Sequence, residues 1–413
     1  MATTARPFHL VLWGATGFTG RLVAEHLAQS YQGKVKWAIA GRSRDRLESL
    51  RLSLSTQYGF DKEDVPILLG DLEDPQSLHA AFSQAKVVIS TAGPYLRLGT
   101  PVVDAAVHAG THYVDITGEI PWVTTLVDKY HESAREKGIR LIPCCAYDSV
   151  PSDLGALLVA KHAQEKLGKK LASITTVVAE GKGGVSGGTI ASGMEIASQS
   201  VKTDDGRNVY ALTPRSAWGR DAEFWGVKWN EDVHKYLTGF FMQVCNNRVV
   251  HRSNYFLSYG DDFRYEETVP AKSWLGAQAI RAGVLGFGLA LSQAWLHGLL
   301  LRFLPNPGQG PTREAMLGGH FKHIVLAKTQ EEDGTAPTTI RAEVGWNHGD
   351  PGYWGGSRLV LEAALCLALQ SDALDADPQL QRGGLLTPAS GLGATLIDRL
   401  RAADFFFDIK KEA

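Results

Sequence analysis

Cysteine is scarce in this sequence, and its spacing excludes two classes of protein. The 413 residues include four cysteines, of which Cys144 and Cys145 are adjacent, and no Cys-x-x-Cys pair occurs. A small disulfide-stapled scaffold needs several spaced cysteines, and a thiolate zinc site needs closely spaced pairs. We expect neither, nor any other metal site, because His320 and His323 would lie on opposite faces of a strand without a cluster of carboxylates. A reducing compartment fits this cysteine content.

An excess of charge of either sign is also lacking. Lys and Arg total 42 and Asp and Glu total 44, which gives a formal net charge of -2. A dedicated nucleic-acid-binding protein shows a basic excess or a basic stripe, so we expect no nucleic-acid partner. Residues 1–9 are too short and too polar to form a signal peptide before the first apolar run, so we expect a cytoplasmic location.

Long uncharged stretches are missing with one exception, residues 282–301. This segment holds twenty residues without a charge between Arg281 and Arg302, which just reaches the length of a membrane span. Four glycines and three polar side chains lower its hydrophobicity, while the flanking arginines suit an interface. Three interpretations stay open: a buried or partner-covered helical hairpin, a peripheral contact with a membrane or lipid droplet, and a true span.

Glycine, by contrast, is abundant, with 44 of 413 residues against a usual ~7%. Between residues 8 and 145, short apolar runs alternate with helical patterns, which is typical of a parallel sheet covered on both faces. The predicted strands are 9–13, 35–40, 65–69, 87–90, 112–116 and 139–144. The predicted helices between them are 18–29, 44–55, 75–83, 101–108 and 121–137, the fourth beginning at Pro101 after an N-cap at Thr100.

A glycine-rich turn follows the first predicted strand and opens the first predicted helix. Gly14, Gly17 and Gly20 have the spacing GxxGxxG, which lets the turn bend tightly, admits a pyrophosphate and brings the helix against the sheet. An ordinary tight turn is the alternative. The context favours a dinucleotide-binding, doubly wound parallel sheet of the Rossmann type. The residues assigned to this loop are Gly14, Thr16, Gly17, Phe18, Thr19 and Gly20.

The tip of the second predicted strand lacks the carboxylate that would bind the ribose hydroxyls of NAD. It carries Arg42 and Ser43 instead. A guanidinium can pair with a 2'-phosphate through two hydrogen bonds and can stack on adenine. Arg42, assisted by Ser43, therefore favours NADP as the cofactor.

Two further loops at the same edge of the sheet are candidate cofactor contacts. Asp71 ends the third predicted strand and is assigned to the adenine amino group, although an aspartate that caps the turn is an alternative. The loop after the fourth strand lies beside the nicotinamide ribose in such a fold. Its assigned residues are Thr91, Ala92, Gly93 and Pro94.

Reduction of a polar double bond needs a proton donor near the carbon that receives the hydride. By residue type and position, the candidate catalytic residues are Tyr95, Glu119, Tyr147 and Asp148. Each also has a structural alternative, because an aromatic ring can pack under a loop and buried acids can satisfy loop amides.

The alternation of short apolar runs with helical patterns ends near Pro151, and a second domain is predicted to start there. We expect residues 1–150 to form the NADP-binding Rossmann domain, completed by residues 350–413. Residues 151–349 are expected to form an α+β domain with a mixed or antiparallel sheet for substrate binding and dimerisation. Two apolar runs in it, 320–328 and 338–345, predict an antiparallel hairpin.

Taken together, these motifs resemble the saccharopine dehydrogenase-like oxidoreductases, which include trans-acting enoyl reductases of lipid biosynthesis. The resemblance covers nearly the whole chain and rests on segments 14–20, 40–43, 90–95, 113–119, 147–155, 187–189, 305–311 and 349–353. It implies an NADP-binding domain, a middle α+β domain and a role in lipid or glycolipid metabolism. By resemblance, the trans-acting members reduce an enoyl double bond on a carrier-bound chain, and other members are found with membranes or lipid droplets.

We therefore predict an NADPH-dependent reductase of an apolar lipid or polyketide-type substrate, either enoyl or carbonyl. A saccharopine-type amino-acid or imine dehydrogenase is an alternative, but it would need a cationic pocket that the sequence does not show. A non-catalytic NADP-binding protein at a lipid surface is a further alternative. A homodimer through the middle domain is the default expectation for such enzymes.

Overall fold

The computed structural model describes residues 6–183, 208–293, 310–331 and 334–412. The strands, in chain order, are β1 (Phe8–Trp13), β2 (Trp37–Gly41), β3 (Ile67–Leu69), β4 (Ala85–Ser90), β5 (His112–Asp115), β6 (Arg140–Ile142), β7 (Leu171–Lys182), β8 (Val227–Asn230), β9 (Lys235–Gly239), β10 (Arg264–Ala271), β11 (His320–Thr329), β12 (Thr339–Trp346), β13 (Gly384–Leu385) and β14 (Phe406–Glu412). The α-helices are α1 (Phe18–Tyr31), α2 (Arg44–Tyr58), α3 (Pro75–Phe82), α4 (Tyr95–Ala109), α5 (Ile120–Glu136), α6 (Val150–His162), α7 (Gln243–Leu257), α8 (Trp274–Ser292), α9 (Arg313–Leu317), α10 (Gly356–Leu369), α11 (Ser371–Ala376) and α12 (Pro388–Ala402).

The first sheet is parallel and contains all the strands that the sequence predicts before residue 145. Its spatial order is β13-β6-β5-β4-β1-β2-β3, and the paired neighbours run in the same direction. The chain order reverses between β1 and β4, which is the switch point where doubly wound sheets bind ligands outside the carboxyl ends of their strands. The predicted fold class is confirmed.

Local sequence explains where two of the helices on this sheet begin. Ser43 precedes α2, and its hydroxyl accepts a hydrogen bond from the Arg46 N–H at 3.5 Å. Asp74 precedes α3, and its carboxylate accepts from the N–H groups of Gln76 and Ser77 at 3.1 and 3.3 Å. These side chains satisfy amide donors that have no partner inside the helix. The starts predicted for both helices are confirmed.

The predicted start of α4 at Pro101 is wrong. The helix begins at Tyr95 and includes Pro101 in its interior. The Glu119 carboxylate, from the loop after β5, accepts hydrogen bonds from the Tyr95 and Leu96 N–H groups at 2.9 and 2.8 Å. The expected N-cap, Thr100, instead accepts from the Trp122 indole at 3.0 Å. The helix therefore takes its N-terminal cap from a distant residue and not from the residue before a proline.

The second sheet is mixed, with the order β14-β12-β11-β7-β10-β9-β8. The pair β7–β10 is parallel, and the remaining pairs are antiparallel. The predicted hairpin is confirmed, because β11 and β12 pair from Phe321 with Trp346 to Lys328 with Thr339. This sheet gives the second part of the molecule the expected α+β character.

Residues near the C-terminus contribute to both sheets. Helix α10 packs against α1, β1, β4 and β5, and Leu359, Leu361 and Leu365 in it are fully buried. Strand β13 lies at the edge of the first sheet, whereas β14 pairs with β12 in the second. Helix α6 connects the two parts, and a Cβ on its Gly155 would lie 3.1 Å from Val325 on β11. The division into residues 1–150 with 350–413 and residues 151–349 stays an interpretation.

Parts of two predicted features lie outside the described residues. These are residues 294–301 of the uncharged segment, and segments 187–189 and 305–309 of the family resemblance. Within the described ranges, no helix combines the length and the apolarity that a membrane crossing needs.

Candidate active site

The turn between β1 and α1 is built around its glycines. Gly14 has a φ of +82°, in the left-handed region that favours glycine. A Cβ on Gly20 would lie 2.2 Å from the Gly14 carbonyl oxygen, so only glycine lets the helix come so close to the turn. Gly17 precedes the helix and offers no side-chain cap. The first N–H groups of α1 are therefore suited to bind an anion such as a pyrophosphate.

The loop after β4 lies directly against this turn. The Thr91 hydroxyl donates to the carbonyl oxygens of Trp13 and Gly14 at 3.1 and 3.2 Å. The Ala92 nitrogen would lie 3.0 Å from a Cβ on Gly14. The structure thus brings together the predicted pyrophosphate loop and the predicted nicotinamide-ribose loop, 91–94, at the switch point of the sheet.

The side chains of Thr16, Phe18 and Thr19 in the glycine-rich turn are half-buried. The Thr16 carbonyl oxygen accepts from the Arg21 guanidinium at 3.1 Å, which fixes the backbone of the turn. Phe18 packs edge-on against Tyr353 with 5.3 Å between ring centroids. A Cβ on Gly310 would lie 2.4 Å from the Phe18 ring. Phe18 and Thr19 open α1, and Phe18 anchors this helix start to the later part of the chain.

Arg42 and Ser43 lie at the tip of β2, next to the glycine-rich turn, where the Gly14 N–H donates to the Ala40 carbonyl oxygen at 3.3 Å. Arg42 is exposed. Its guanidinium has no hydrogen bond or ion pair with any residue in the described ranges, so it is available to a phosphate. Ser43 is exposed as well, although its hydroxyl caps α2.

Asp71 has the arrangement of a turn-capping residue. Its Oδ1 accepts a hydrogen bond from the Glu73 N–H at 3.0 Å, and its own N–H donates to the Ser77 hydroxyl oxygen at 2.9 Å. The side chain is exposed at the carboxyl end of β3. These contacts support the structural alternative, and adenine recognition by Asp71 stays a prediction.

Tyr95 and Glu119 are joined in one buried cluster. Glu119 is fully buried and caps α4 through both carboxylate oxygens. The Tyr95 hydroxyl donates to the Ser90 carbonyl oxygen at 2.9 Å and accepts from the Ile116 N–H at 3.4 Å. Burial raises the pKa of Tyr95 well above its ordinary value. These contacts link β4, α4 and the loop after β5 and support the structural alternative for both residues, whose catalytic role stays a prediction.

Tyr147 and Asp148 follow β6 and lie between the two sheets. The Tyr147 hydroxyl is 3.1 Å from Nε2 of His323 on β11. Asp148 is half-buried, and its carboxylate makes no hydrogen bond within the described ranges. Its Oδ2 lies 3.3 Å from where a Cβ on Gly118 would stand, so it rests on the loop after β5. Burial raises the pKa of Asp148 to about 6.

A second buried acid faces this region from the second sheet. Oε1 of Glu267, on β10, accepts from the Ser152 hydroxyl at 2.6 Å, and its Oε2 accepts from the Asn246 amide at 2.6 Å. Asn246 also accepts from the Ser149 hydroxyl at 2.9 Å. Burial, with a smaller contribution from the nearby Asp148, raises the pKa of Glu267 to about 7.

Glu267, Asn246 and His323 are members of this cluster that the sequence did not predict. They lie on β10, α7 and β11, and only the packing of these elements against α6 and the loop after β6 brings them together. No local motif contains them. The available signal was an acid within a strand, since Glu267 occupies a buried position of β10 next to the half-buried Glu266.

Comparisons with known proteins support an NADP-binding domain in the first part of the chain. Residues 10–142 match the family model of the saccharopine dehydrogenase NADP binding domain. A protein of Mycobacterium tuberculosis that is provisionally named a trans-acting enoyl reductase is 37% identical, with 98% of this chain and 97% of that protein covered. The trans-acting enoyl reductase of Mycobacterium bovis is 34% identical, with 98% of each chain covered.

A solved structure shows the same fold over nearly the whole chain. It is the apo saccharopine dehydrogenase (L-Glu forming) of Saccharomyces cerevisiae, with a TM-score of 0.50, 13% identity and coverage of 98% of this chain and 100% of that one. The saccharopine-type and non-catalytic alternatives are not favoured by these relatives. The chain, an NADP-dependent oxidoreductase, therefore belongs to the saccharopine dehydrogenase-like family, in the group of the trans-acting enoyl reductases.

Proposed function

We propose that this enzyme reduces the carbon–carbon double bond of an enoyl group on a carrier-bound lipid chain, and that Asp148 supplies the proton. The names of the relatives that align over the full chain support an enoyl group as the group that is reduced. The family resemblance supports a substrate that is bound to a carrier. The observation that carries the proposal is the position of Asp148, a carboxyl group without a hydrogen-bond partner in the described ranges, beside Gly118 at the ligand-binding edge of the sheet.

The residues at the switch point fit NADP. The left-handed Gly14 and the close approach at Gly20 form a cradle for the pyrophosphate that a Cβ would fill. In this proposal, Arg42 binds the 2'-phosphate with the help of Ser43. Residues 91–94 contact the nicotinamide ribose. NADPH, when bound there, supplies a hydride.

Addition of a hydride at the β carbon of an enoyl thioester leaves negative charge on the α carbon and the carbonyl oxygen. The α carbon must then take a proton. A carboxyl group with a pKa of about 6 is a suitable donor near neutral pH, because its acidity is close to the working pH. Asp148 becomes a carboxylate when it gives up this proton. Its partial exposure lets water return the proton after the product leaves.

The charge of the cleft favours an uncharged substrate. Within the described ranges, no Lys or Arg side chain forms a hydrogen bond or ion pair with Tyr147, Asp148, Glu267 or His323, whose partners are uncharged side chains. A dicarboxylate amino acid would need cations at this point. An acyl chain does not, so the cleft supports a lipid substrate over a saccharopine-type one.

The test is a reduction assay with purified protein, NADPH deuterated at its reactive carbon and an enoyl chain attached as a thioester to a carrier protein. We expect mass spectrometry to find one deuterium at the β carbon of a saturated product. A matched β-ketoacyl thioester serves as the comparison. Reduction of the keto group without reduction of the enoyl group would contradict the proposal.

We further propose a peripheral contact with a lipid surface through α8. Residues 282–290 carry no polar side chain and are exposed or half-exposed along the whole stretch, with Leu285 45% and Phe287 51% exposed. A helix that is apolar all round normally lies in apolar surroundings. Its flanking charges in the described ranges, Lys272 and Arg281, are both positive and suit anionic headgroups.

Flotation with vesicles that contain anionic phospholipid tests this contact. We expect the wild-type protein to float with the vesicles and the double variant Leu285→Glu, Phe287→Glu to stay in the dense fraction. Leu52→Glu is the matched control, because Leu52 is 57% exposed on α2. Equal flotation of all three proteins, or none for the wild type, would contradict the proposal.

A further inference from the structure

His323 is a buried polar residue in the middle of the second sheet. It lies on β11 between Val178 of β7 and Val344 of β12 and is 1% exposed. Its Nε2 is 3.1 Å from the Tyr147 hydroxyl, whereas its Nδ1 has no hydrogen-bond partner in the described ranges. One nitrogen of this ring is therefore hydrogen-bonded to Tyr147, and the other is buried without a hydrogen-bond partner in the described ranges.

The imidazole of His323 is neutral at physiological pH, because burial lowers its pKa to about 3. A neutral imidazole carries a single N–H, on either Nδ1 or Nε2. A hydrogen on Nδ1 would leave a buried donor without an acceptor, and such orphaned donors are rarer than unpaired acceptors. A hydrogen on Nε2 is used in a bond to the Tyr147 oxygen. The surroundings therefore favour the tautomer with the hydrogen on Nε2.

This tautomer decides where the hydrogen of Tyr147 points. If Nε2 of His323 donates, the phenol oxygen accepts, and the phenol hydrogen stays available to another acceptor. Tyr147 is half-buried and is the direct neighbour of Asp148 in the chain, in the loop after β6 that the proposed function assigns to the cleft. Burial, together with Glu267 and Asp148, raises the pKa of Tyr147, which keeps the phenol protonated as a hydrogen-bond donor.

We infer that His323 is a positioning residue that donates from Nε2 to the Tyr147 oxygen and thereby directs the phenol hydrogen toward the carbonyl oxygen of the enoyl thioester. This inference rests on the proposed function. Hydride addition at the β carbon moves an electron pair to that carbonyl oxygen, and a directed donor stabilises the charge as it develops. The phenol keeps its proton throughout, and Asp148 gives the proton that forms the new C–H bond.

The tautomer can be measured without any turnover. In protein labelled with ¹⁵N-histidine, we expect the His323 signal to show a protonated Nε2 and an unprotonated Nδ1. The signal is assigned by its absence from the His323→Gln variant. A protonated Nδ1 would overturn the inference, and it would do so whether or not the enzyme reduces enoyl groups.

Kinetics supply the second test. Tyr147→Phe removes the donor, and we expect kcat to fall about 10²-fold with little change in KM. His323→Phe should lower kcat about tenfold, and His323→Gln, whose amide can still donate to the phenol, should restore part of the loss. The double variant Tyr147→Phe, His323→Phe should be no slower than Tyr147→Phe alone. Additive losses, or equal activity of the Phe and Gln variants, would contradict a role through Tyr147.

Discussion

The carboxylate of Asp148 rests on the backbone of Gly118. Its Oδ2 is 3.3 Å from where a Cβ on that glycine would stand, a separation at which the neighbour has to give way by a few tenths of an ångström. The loop after β5 thus supports the carboxylate of Asp148, the proposed proton donor, which belongs to the loop after β6.

Gly118→Ala should therefore displace the Asp148 carboxylate without disturbing the fold. We expect kcat for enoyl reduction to fall about tenfold, since small misplacements of a reacting group are costly, while the thermal midpoint changes little. Gly181→Ala is the matched control, because a Cβ there meets nothing within 4 Å. If both alanine variants retain full activity, the contact with Gly118 does not matter to the reaction.

Replacement of Asp148 by asparagine removes the acid and keeps its shape. We expect kcat to fall about 10²- to 10⁴-fold, with unchanged binding of NADPH in a fluorescence titration. The wild-type enzyme needs Asp148 protonated, so its kcat should decline as the pH rises above about 6. The residual activity of the variant should lack this decline. A variant with the same pH profile as the wild type would identify another group as the donor.

Arg42→Ala should weaken the binding of NADPH far more than the binding of NADH. Hydrogen bonds between charged groups contribute roughly 1.5–3 kcal/mol, so we expect the dissociation constant for NADPH to rise at least about tenfold. The exposed Arg44 provides a control, and Arg44→Ala should have a smaller effect. Titration of reduced-nicotinamide fluorescence measures both cofactors. Equal weakening of NADPH and NADH by Arg42→Ala would remove the assignment to the 2'-phosphate.

The contribution of Asp115 and Asp153 to stability should fall as the pH rises from about 4 to 7. Burial raises the pKa values of Asp115 and Asp153 from 3.8 to about 7. Across this range the folded protein therefore binds more protons at these carboxyls than the unfolded chain, so their contribution to the free energy of unfolding decreases with increasing pH. Urea unfolding at several pH values isolates this contribution when the wild type is compared with Asp115→Asn, and the wild type should lose stability relative to the variant as the pH rises. If the free energy of unfolding depends on pH in the same way in Asp115→Asn and in the wild type, the raised pKa of Asp115 is contradicted.

The parallel sheet was predictable because its determinants are local. Each of β1 to β6 is a short apolar run, and the Gly14 turn identifies itself by its spacing between a strand and a helix. The start of α4 was not predictable in this way, because its cap is Glu119, which the fold brings back from the loop after β5. Pro101 and Thr100 offered a stronger local signal that tertiary structure overrides.

The candidate site was likewise predictable only where its residues follow strands of the first sheet. Arg42 and the loop 91–94 follow strands of one sheet, so their meeting at one edge could be anticipated from strand order. Tyr147 and Asp148 were identified by position, but their surroundings were not. His323 and Glu267 reach them from β11 and β10, and pairing between distant strands of a second sheet leaves no periodic trace in the sequence. Dimerisation through that sheet stays a prediction, which sedimentation can measure.

The interleaving of the C-terminal segment with both sheets has a consequence for biosynthesis. Synthesis proceeds from the N-terminus, so α10, which covers the first sheet, and β14, which closes the second, are made last. Until they emerge from the ribosome, the apolar surfaces of α1, β1, β4 and β12 that they cover stay open to solvent. The nascent chain should therefore depend on chaperones late in translation, and premature termination should yield a product that is degraded and not a working half-enzyme.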